Sequence, residues 1–265
     1  MMINTTFSKH PVFKQLSEYS KFYKNLSTSV MGWITKGTIG SIFNIDTRVY
    51  SSIQGTLESI EDILIKGRIN DSYALMRKYH DSVIINVYSN LYLDDNFSIE
   101  NFVVEKINNW FHGKEQLPEY RIMSNYIRKS EKLAEVNVLL YKDNTYKEIR
   151  DRCNDNTHYN FYYNLLLNDN EIYLKNRFGI LNRFSKDLEH LFILHFTYLF
   201  YLNDHYMMSS DYADSMDLGL TPEEDSQYFV APFIQEIFDK VIKKNRTDLA
   251  AEIKNHTAMK LSSRS

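Results

Sequence analysis

An all-α fold, a multi-helix bundle, is predicted by the placement of proline, the scarcity of glycine and the spacing of apolar residues. The four prolines are Pro11, Pro118, Pro222 and Pro232, which leaves residues 12–117 and 119–221 without one. Helix interiors exclude proline, because it lacks the backbone N–H and clashes with the preceding turn. The chain also has only 8 glycines among 265 residues, whereas a β-rich chain of this length needs many turn residues.

Apolar residues spaced by three or four positions predict a helix that begins at Asp46, a typical N-cap residue. Gly67 can end this helix, because glycine readily adopts the left-handed conformation that closes many helices. Asn70 or Asp71 can then begin a second helix, which continues to about position 93. The apolar stripe of the first helix consists of Val49, Ile53, Leu57, Ile60 and Leu64.

Further helices follow along the chain. Ser98 can cap a helix that ends at Gly113, and two short helices are expected over residues 119–129 and 130–142. Asp143 can cap the next helix, through residue 155. The asparagine-rich passage from 154 to 170 is expected to be the least regular. A long helix near 176–208 carries the most apolar run, so we expect it at the centre of the core.

The last predicted helix begins at a capping box, with Thr221 as N-cap, Pro222 in the first position and Glu224 in the third. Pro232 lies inside the run that follows and is expected to kink it. Residues 1–260 are predicted to form a single helical domain, with a sub-boundary near 113–118 as the alternative. Residues 261–265 are predicted to be a disordered tail.

Composition and charge limit the functions that the chain can have. A net charge of −3 gives no support for binding nucleic acid by bulk electrostatics. The single cysteine, Cys153, excludes an intramolecular disulfide and favours a reducing compartment. The apolar run over 191–202 is shorter than the roughly 20 residues of a membrane span, and the first residues contain no apolar run of signal-peptide type. We therefore expect a cytoplasmic protein without membrane contact.

The segment most suggestive of chemistry is IRDRCNDNTHYN, residues 149–160, which contains Arg152 and His158. Cleavage of RNA through its 2′-hydroxyl needs a base that titrates near neutral pH, which histidine provides. It also needs a fixed cation on the phosphate, which arginine provides with bidentate geometry. Arg152 and His158 are therefore candidate catalytic residues, with Asn154 and Asp155 between them, and Asp155 can orient the imidazole.

Helix geometry sets a condition on this site. A step of six residues rotates the side chain by about 600°, or 240° net, so Arg152 and His158 would not share a face of a continuous helix. They converge if the helix breaks within Asn154–Thr157, or if the two come together across a dimer interface. The structural alternative is a surface ion pair between Glu148 and Arg152, four residues apart, with His158 capping a helix or bonding locally.

Other polar residues favour structural roles. Asp211, Asp214 and Asp217 match no calcium-loop pattern. His190 and His195 are five residues apart and do not form a two-histidine metal face, so we expect core histidines with hydrogen-bond partners. No metal site and no cofactor is predicted.

The Arg152 to His158 spacing, with Asn154 nearby, resembles the Arg-x(4–6)-His motif of the HEPN superfamily of all-helical domains. The stretch KGRINDSYALMRKYHDS, residues 66–82, is similar to a helix of related bacterial families in which a Gly-Arg step precedes an Asp and an Arg-containing helix. Cys153 departs from the motif, since an Asn, Asp or His usually follows the arginine directly. The resemblance implies a helical bundle, often a homodimer with Arg and His near a shared cleft, and metal-independent ribonuclease action.

Three functions remain open at this point. The first is a HEPN-like endoribonuclease that acts on RNA in defence or stress response, with His158 as general base and Arg152 on the phosphate. The second is a non-catalytic helical module that dimerises or binds a protein partner. The third is a metal-dependent helical enzyme. The positions of Arg152 and His158 relative to a cleft distinguish the first two.

Overall fold

The computed structural model describes residues 5–33, 37–38, 44–168 and 177–261, and it confirms the predicted all-α fold. In the described ranges the only β contact is an isolated bridge between Met208 and Val230. The α-helices are α1 (Thr5–Ser8), α2 (Pro11–Ser29), α3 (Ile45–Leu64), α4 (Ile69–Asn96), α5 (Glu105–Phe111), α6 (Tyr120–Lys129), α7 (Ala134–Leu140), α8 (Thr145–His158), α9 (Tyr162–Leu166), α10 (Arg177–Leu202), α11 (Asp211–Asp217), α12 (Pro232–Ile237) and α13 (Thr247–His256). Short 3-10 turns lie at Glu131–Leu133, Asp204–Met207 and Ser226–Tyr228, and a π-helical segment at Phe238–Lys243.

Helix α10 is the centre of the core, as its composition predicts. Every residue from Leu191 to Tyr201 is buried, because α2, α4, α8 and α13 pack around it. A helix that is apolar on all sides needs such a position. The helix ends at Leu202, and a 3-10 turn then covers Asp204–Met207. None of the helices in the described part of the chain is both long and apolar enough to span a membrane.

Helices α2, α3 and α4 pack side by side in chain order. The predicted stripe of α3 is confirmed, since Ile53, Leu57 and Ile60 are wholly buried. The start of the helix differs by two residues from the prediction. Asn44 is the N-cap, and its side chain accepts a hydrogen bond from the backbone of Asp46. Asp46 therefore lies inside the helix, where it is buried.

Two predicted helix starts are wrong. At Ser98 the hydroxyl accepts from the backbone of Asn101 in a local turn, and α5 begins only at Glu105. Such side-chain hydrogen bonds compete with helix formation. At Thr221 no helix forms, because the residues after it are polar and exposed and offer no apolar face to bury. Pro232 does not kink a helix but occupies the first turn of α12.

The buried apolar side chains form one continuous cluster that extends from Phe7 to Leu261. Of the predicted tail, residues 262–265 lie outside the described residues, while Leu261 is buried in this cluster. Helix α8 packs between α4 and α10 at one side of the core, and α9 packs against it. This arrangement decides where the predicted site residues point.

Candidate functional site

Helix α8 is continuous from Thr145 to His158, so the break within Asn154–Thr157 that would let Arg152 and His158 converge is absent. The helix ends only when Tyr159 adopts the left-handed conformation, with φ of 50°. The N-cap is Asn144 and not the predicted Asp143, which lies one residue earlier and accepts a hydrogen bond from the backbone of Thr145 over 2.9 Å. On an unbroken helix Arg152 and His158 point to different sides. One side faces α10 and the other lies along α4.

The side that faces α10 carries Arg152. Its guanidinium forms a bidentate pair with Asp187 of α10, with Nε 2.9 Å from Oδ2 and Nη2 2.6 Å from Oδ1. The side chain of Asp187 is only 4% exposed. Tyr73 of α4 also donates to Asp187 Oδ2, over 3.4 Å. The Nη1 atom of Arg152 lies 3.7 Å from Glu148, which is the ion pair that the spacing predicts. Arg152 thus neutralises a buried carboxylate.

A cleft of about 450 Å³ opens beside Arg152, between α8, α9 and the start of α10. Arg152 and Arg183 bring positive charge to it, and Phe161 and Tyr163 bring aromatic rings that are 61% and 47% exposed. Asp155 also lines the cleft, but its carboxylate accepts from Asn160 over 2.8 Å. His158 is not among the lining residues. We call this cavity the basic cleft.

The side of α8 that lies along α4 carries His158. Its imidazole is exposed, and Arg77 Nη1 of α4 donates to its Nε2 over 3.1 Å. Asn154 lies one turn earlier on the same side of the helix, and its buried Oδ1 has no hydrogen-bond partner among the described residues. Of the four predicted site residues, His158 and Asn154 therefore share one side of α8, while Arg152 and Asp155 line the basic cleft.

The two stretches that carry the family resemblance pack against each other. Asn70 Nδ2 donates to the backbone oxygen of Asn156 over 2.7 Å. Arg150 pairs with Asp81 over 2.6 Å. Arg77 lies in the 66–82 stretch, but the sequence alone did not single it out as a site residue. Its pairing with His158, 81 positions away, is beyond what local spacing reveals.

Near this contact lies a buried histidine, His80. Burial and the charge of Arg150 lower the pKa of His80 to about 3. Its Nε2 lies 3.3 Å from the hydroxyl of Tyr120, and the guanidinium of Arg150 stacks 3.2 Å from the centre of the Tyr120 ring. His80 is thus a neutral core residue, and the exposed His158 is the histidine available to solvent on this side.

Cys153 is buried between these two sides of α8. Burial and the nearby charge of Asp187 raise the pKa of the Cys153 thiol to about 12. A thiol needs to ionise to act as a nucleophile or a metal ligand. Cys153 is therefore a packed core residue with a structural role.

His195 is a satisfied core histidine, as expected. It is fully buried, with Nδ1 2.7 Å from the hydroxyl of Tyr23 and Nε2 2.9 Å from Asn86 Oδ1. Burial lowers the pKa of His195 to about 3, so the ring is neutral. Asn86 donates its amide to Asp46 over 2.7 Å. The amide oxygen of Asn86 then accepts from His195, which places the ring proton on Nε2 and makes Nδ1 the acceptor for Tyr23.

In the described part of the chain, no group of three or more His, Cys, Asp or Glu side chains is arranged to hold a metal ion. Asp211 and Asp217 are exposed on α11, away from these sites. Comparison of the chain with known protein families, with curated protein sequences and with solved structures gives no match.

Proposed function

We propose that this chain is a metal-independent endoribonuclease in which His158 is the general base and Arg77 binds the phosphate. One observation carries the proposal. The exposed imidazole of His158 lies 3.1 Å from the guanidinium of Arg77, where the two stretches that resemble the HEPN superfamily pack together. Histidine is the side chain whose ordinary titration range suits a base at neutral pH. Arginine is suited to a phosphate because its N–H groups match two oxygens at once.

The contact defines the resting state of the site. A guanidinium has donors only, so Nε2 of His158 accepts from Arg77 and the ring keeps its proton on Nδ1. A phosphodiester that enters the site offers the guanidinium charged oxygens, which are stronger acceptors than an imidazole nitrogen. Arg77 then turns to the phosphate, and Nε2 is free to accept the proton of the adjacent ribose 2′-hydroxyl.

The reaction proceeds by attack of this 2′-oxygen on the neighbouring phosphorus once His158 has taken its proton. The bond from phosphorus to the 5′-oxygen breaks, and its electron pair stays on that oxygen, which takes a proton from water or from the imidazolium. The products are a 2′,3′-cyclic phosphate and a 5′-hydroxyl end. Arg77 stabilises the negative charge that develops on the phosphoryl oxygens.

A cleavage assay tests this function. The substrate is a labelled pool of single-stranded oligoribonucleotides, with a chelator present throughout. We expect the wild-type chain to release fragments with cyclic-phosphate ends, and His158→Ala to lower the rate by a factor of about 100 or more. Arg77→Ala is expected to lower it by about 100-fold or more as well.

Two controls sharpen the assay. His112→Ala removes an exposed histidine that bonds the backbone of Asn108 and packs edge-on against Phe111, away from His158, and it should cleave like wild type. A 2′-deoxy version of the same pool should stay intact, because the attacking hydroxyl is missing. Equal rates for wild type and His158→Ala, or no cleavage of RNA by the wild-type chain, would contradict the proposal.

A second candidate, a non-catalytic interaction module, is favoured by exposed apolar side chains at the α8–α9 corner. Contiguous exposed apolar patches mark sites of interaction with other molecules. The cluster consists of Tyr159, Phe161, Tyr162, Tyr163 and Leu165, each 44% to 76% exposed. Self-association through this region without RNA cleavage would support the module over the enzyme.

A further inference from the structure

Opposite charges lie at the two ends of α10. The start of the helix, residues 177–186, contains Arg177, Arg183 and Lys186 and no acidic residue. From Asp187 to Asp239 the chain has no lysine or arginine at all. Beyond the end of the helix, residues 211–225 carry the carboxylates of Asp211, Asp214, Asp217, Glu223, Glu224 and Asp225. We call residues 211–225 the acidic arm.

The acidic arm presents apolar side chains as well as charge. Met216, Leu218 and Leu220 are 56%, 74% and 60% exposed. Helix α11, which opens the arm, contributes no buried residue to the core. Among the described residues, the one ion pair that the arm makes is between Asp225 and Lys260, at 2.8 Å. Exposed apolar side chains beside carboxylates that make no ion pair within the described part of the chain, such as Asp214 and Asp217, are features of a peptide that docks on a basic surface.

The basic cleft has the complementary features. It is a concave site of about 450 Å³, within the size range of ligand pockets. Its lining combines the guanidinium groups of Arg152 and Arg183 with the exposed rings of Phe161 and Tyr163. Arg183 makes no hydrogen bond or ion pair within the described part of the chain. The guanidinium of Arg152 is already paired with Asp187, so Arg183 is the cation that the cleft offers to carboxylates, beside aromatic surface for Met and Leu side chains.

The arm cannot reach the cleft of its own chain. Helix α10 has 26 residues, and at 1.5 Å per residue it separates its ends by about 39 Å. We propose that the acidic arm of one copy docks in the basic cleft of a second copy. Because the two surfaces differ, the contact is heterologous and joins copies head to tail. This inference does not depend on the proposed ribonuclease activity.

Sedimentation velocity with the full chain tests the association. We expect the average mass to rise above the 31.5 kDa of one chain as concentration increases at low salt. The association should weaken at high salt, because about 0.5 M salt screens charges over a few ångströms. A wild-type chain that stays monomeric at about 0.2 mM in low salt, where a contact of about 5 kcal/mol would be detected, overturns the inference.

A pair of variants distinguishes head-to-tail docking from a symmetric dimer. Arg183→Glu disables the cleft, and the double variant Asp214→Lys with Asp217→Lys disables the arm; each alone should be monomeric. Mixed in equal amounts, the two should form a dimer and nothing larger, because one intact arm meets one intact cleft. Both changes are at exposed positions, and circular dichroism checks that the helices are retained.

Two further measurements complete the test. Lys186→Glu changes a charge on the same helix outside the cleft, so it should associate like wild type. A labelled synthetic peptide of residues 211–225 should bind the wild-type chain and bind Arg183→Glu at least tenfold more weakly. Equal binding to both, or association of either variant alone at the wild-type level, overturns the inference; so does a failure of the mixture to dimerise.

Discussion

At the scale of single residues, Arg152 shows how a side chain suited to catalysis is used for stability. It forms two short hydrogen bonds with Asp187, which is almost wholly buried, while Arg152 itself is 27% exposed. A buried carboxylate without a partner would be strongly unfavourable. The bidentate pair therefore fixes α8 against α10, and the same contact holds the guanidinium at the edge of the basic cleft.

Arg152→Ala is expected to destabilise the fold, because it leaves Asp187 buried without its cation. Removing one partner of a buried pair costs about 3–5 kcal/mol, and because Arg152 is partly exposed we expect a loss of about 3 kcal/mol. Urea unfolding followed by circular dichroism measures it. Glu148→Gln removes only the weak, exposed partner of Arg152 and should change stability by less than about 0.5 kcal/mol. Similar stabilities for the two variants would contradict this role.

At the scale of helices, a buried polar network joins α2, α3, α4 and α10. Tyr23 of α2 links to His195 of α10, which links through Asn86 of α4 to Asp46 of α3. Asp46 also accepts from Asn90 over 2.9 Å and from Tyr206 over 3.0 Å. Since a carboxylate only accepts hydrogen bonds, Asp46 determines which group donates in each successive hydrogen bond from Asn86 through His195 to Tyr23. The network thus specifies how four helices face each other.

The pH dependence of stability follows from the buried histidines. His195 and His80 each have a folded-state pKa of about 3, below the ordinary 6.5, so the unfolded chain binds more protons between these values. The contribution of these two histidines to the free energy of unfolding is therefore fully present above pH 6.5. It decreases as the pH drops toward 3, by up to about 1.4 kcal/mol per pH unit for each histidine. Burial raises the pKa of Asp46. Its contribution to the free energy of unfolding therefore has the opposite pH dependence and decreases as the pH rises above 3.8.

His195→Gln isolates one of these histidines. Because the variant lacks the titrating imidazole, its free energy of unfolding should change less steeply with pH between 6.5 and 4. The difference in slope corresponds to about one proton fewer taken up on unfolding. Urea unfolding at several pH values measures the slope, which is independent of any overall loss of stability. A control, His112→Ala, removes an exposed histidine and should keep the wild-type slope. An unchanged slope for His195→Gln would show that this ring is not held neutral.

Helices were predictable from the sequence where a polar start and a repeating apolar face agree. Helix α3 has both, and α10 is apolar all round, so both are confirmed. The start proposed at Thr221 had a suitable cap but no apolar face behind it, and at Ser98 the hydroxyl bonds the backbone of Asn101 in a local turn instead of capping a helix. Helix α2 carries no typical cap signal, because its N-cap is His10. The contact of Arg77 with His158 joins residues 81 positions apart, which local spacing cannot reveal.

At the scale of the whole molecule, the core and the charged surfaces are arranged along α10. The middle of this helix is buried on all sides, its start lies at the basic cleft and its end leads toward the acidic arm. The backbone segments on either side of the acidic arm are hydrogen-bonded to each other. Ser209 donates to the backbone of Phe229 and Ala231 to the backbone of Met207, both over 2.8 Å. The arm is thus an excursion whose ends are already close together.

Replacement of residues 211–224 by a short Gly-Ser loop is therefore expected to leave the fold intact. No residue of α11 is buried. Backbone hydrogen bonds already hold the flanking segments close together, so a short loop can connect them. We expect the free energy of unfolding to change by less than about 1 kcal/mol, whereas Leu194→Ala in the middle of α10 should cost about 2–5 kcal/mol. Urea unfolding compares both with wild type. A loss in the loop variant as large as that of Leu194→Ala would mean that the arm packs on its own chain, and that its apolar side chains are not available to a second copy.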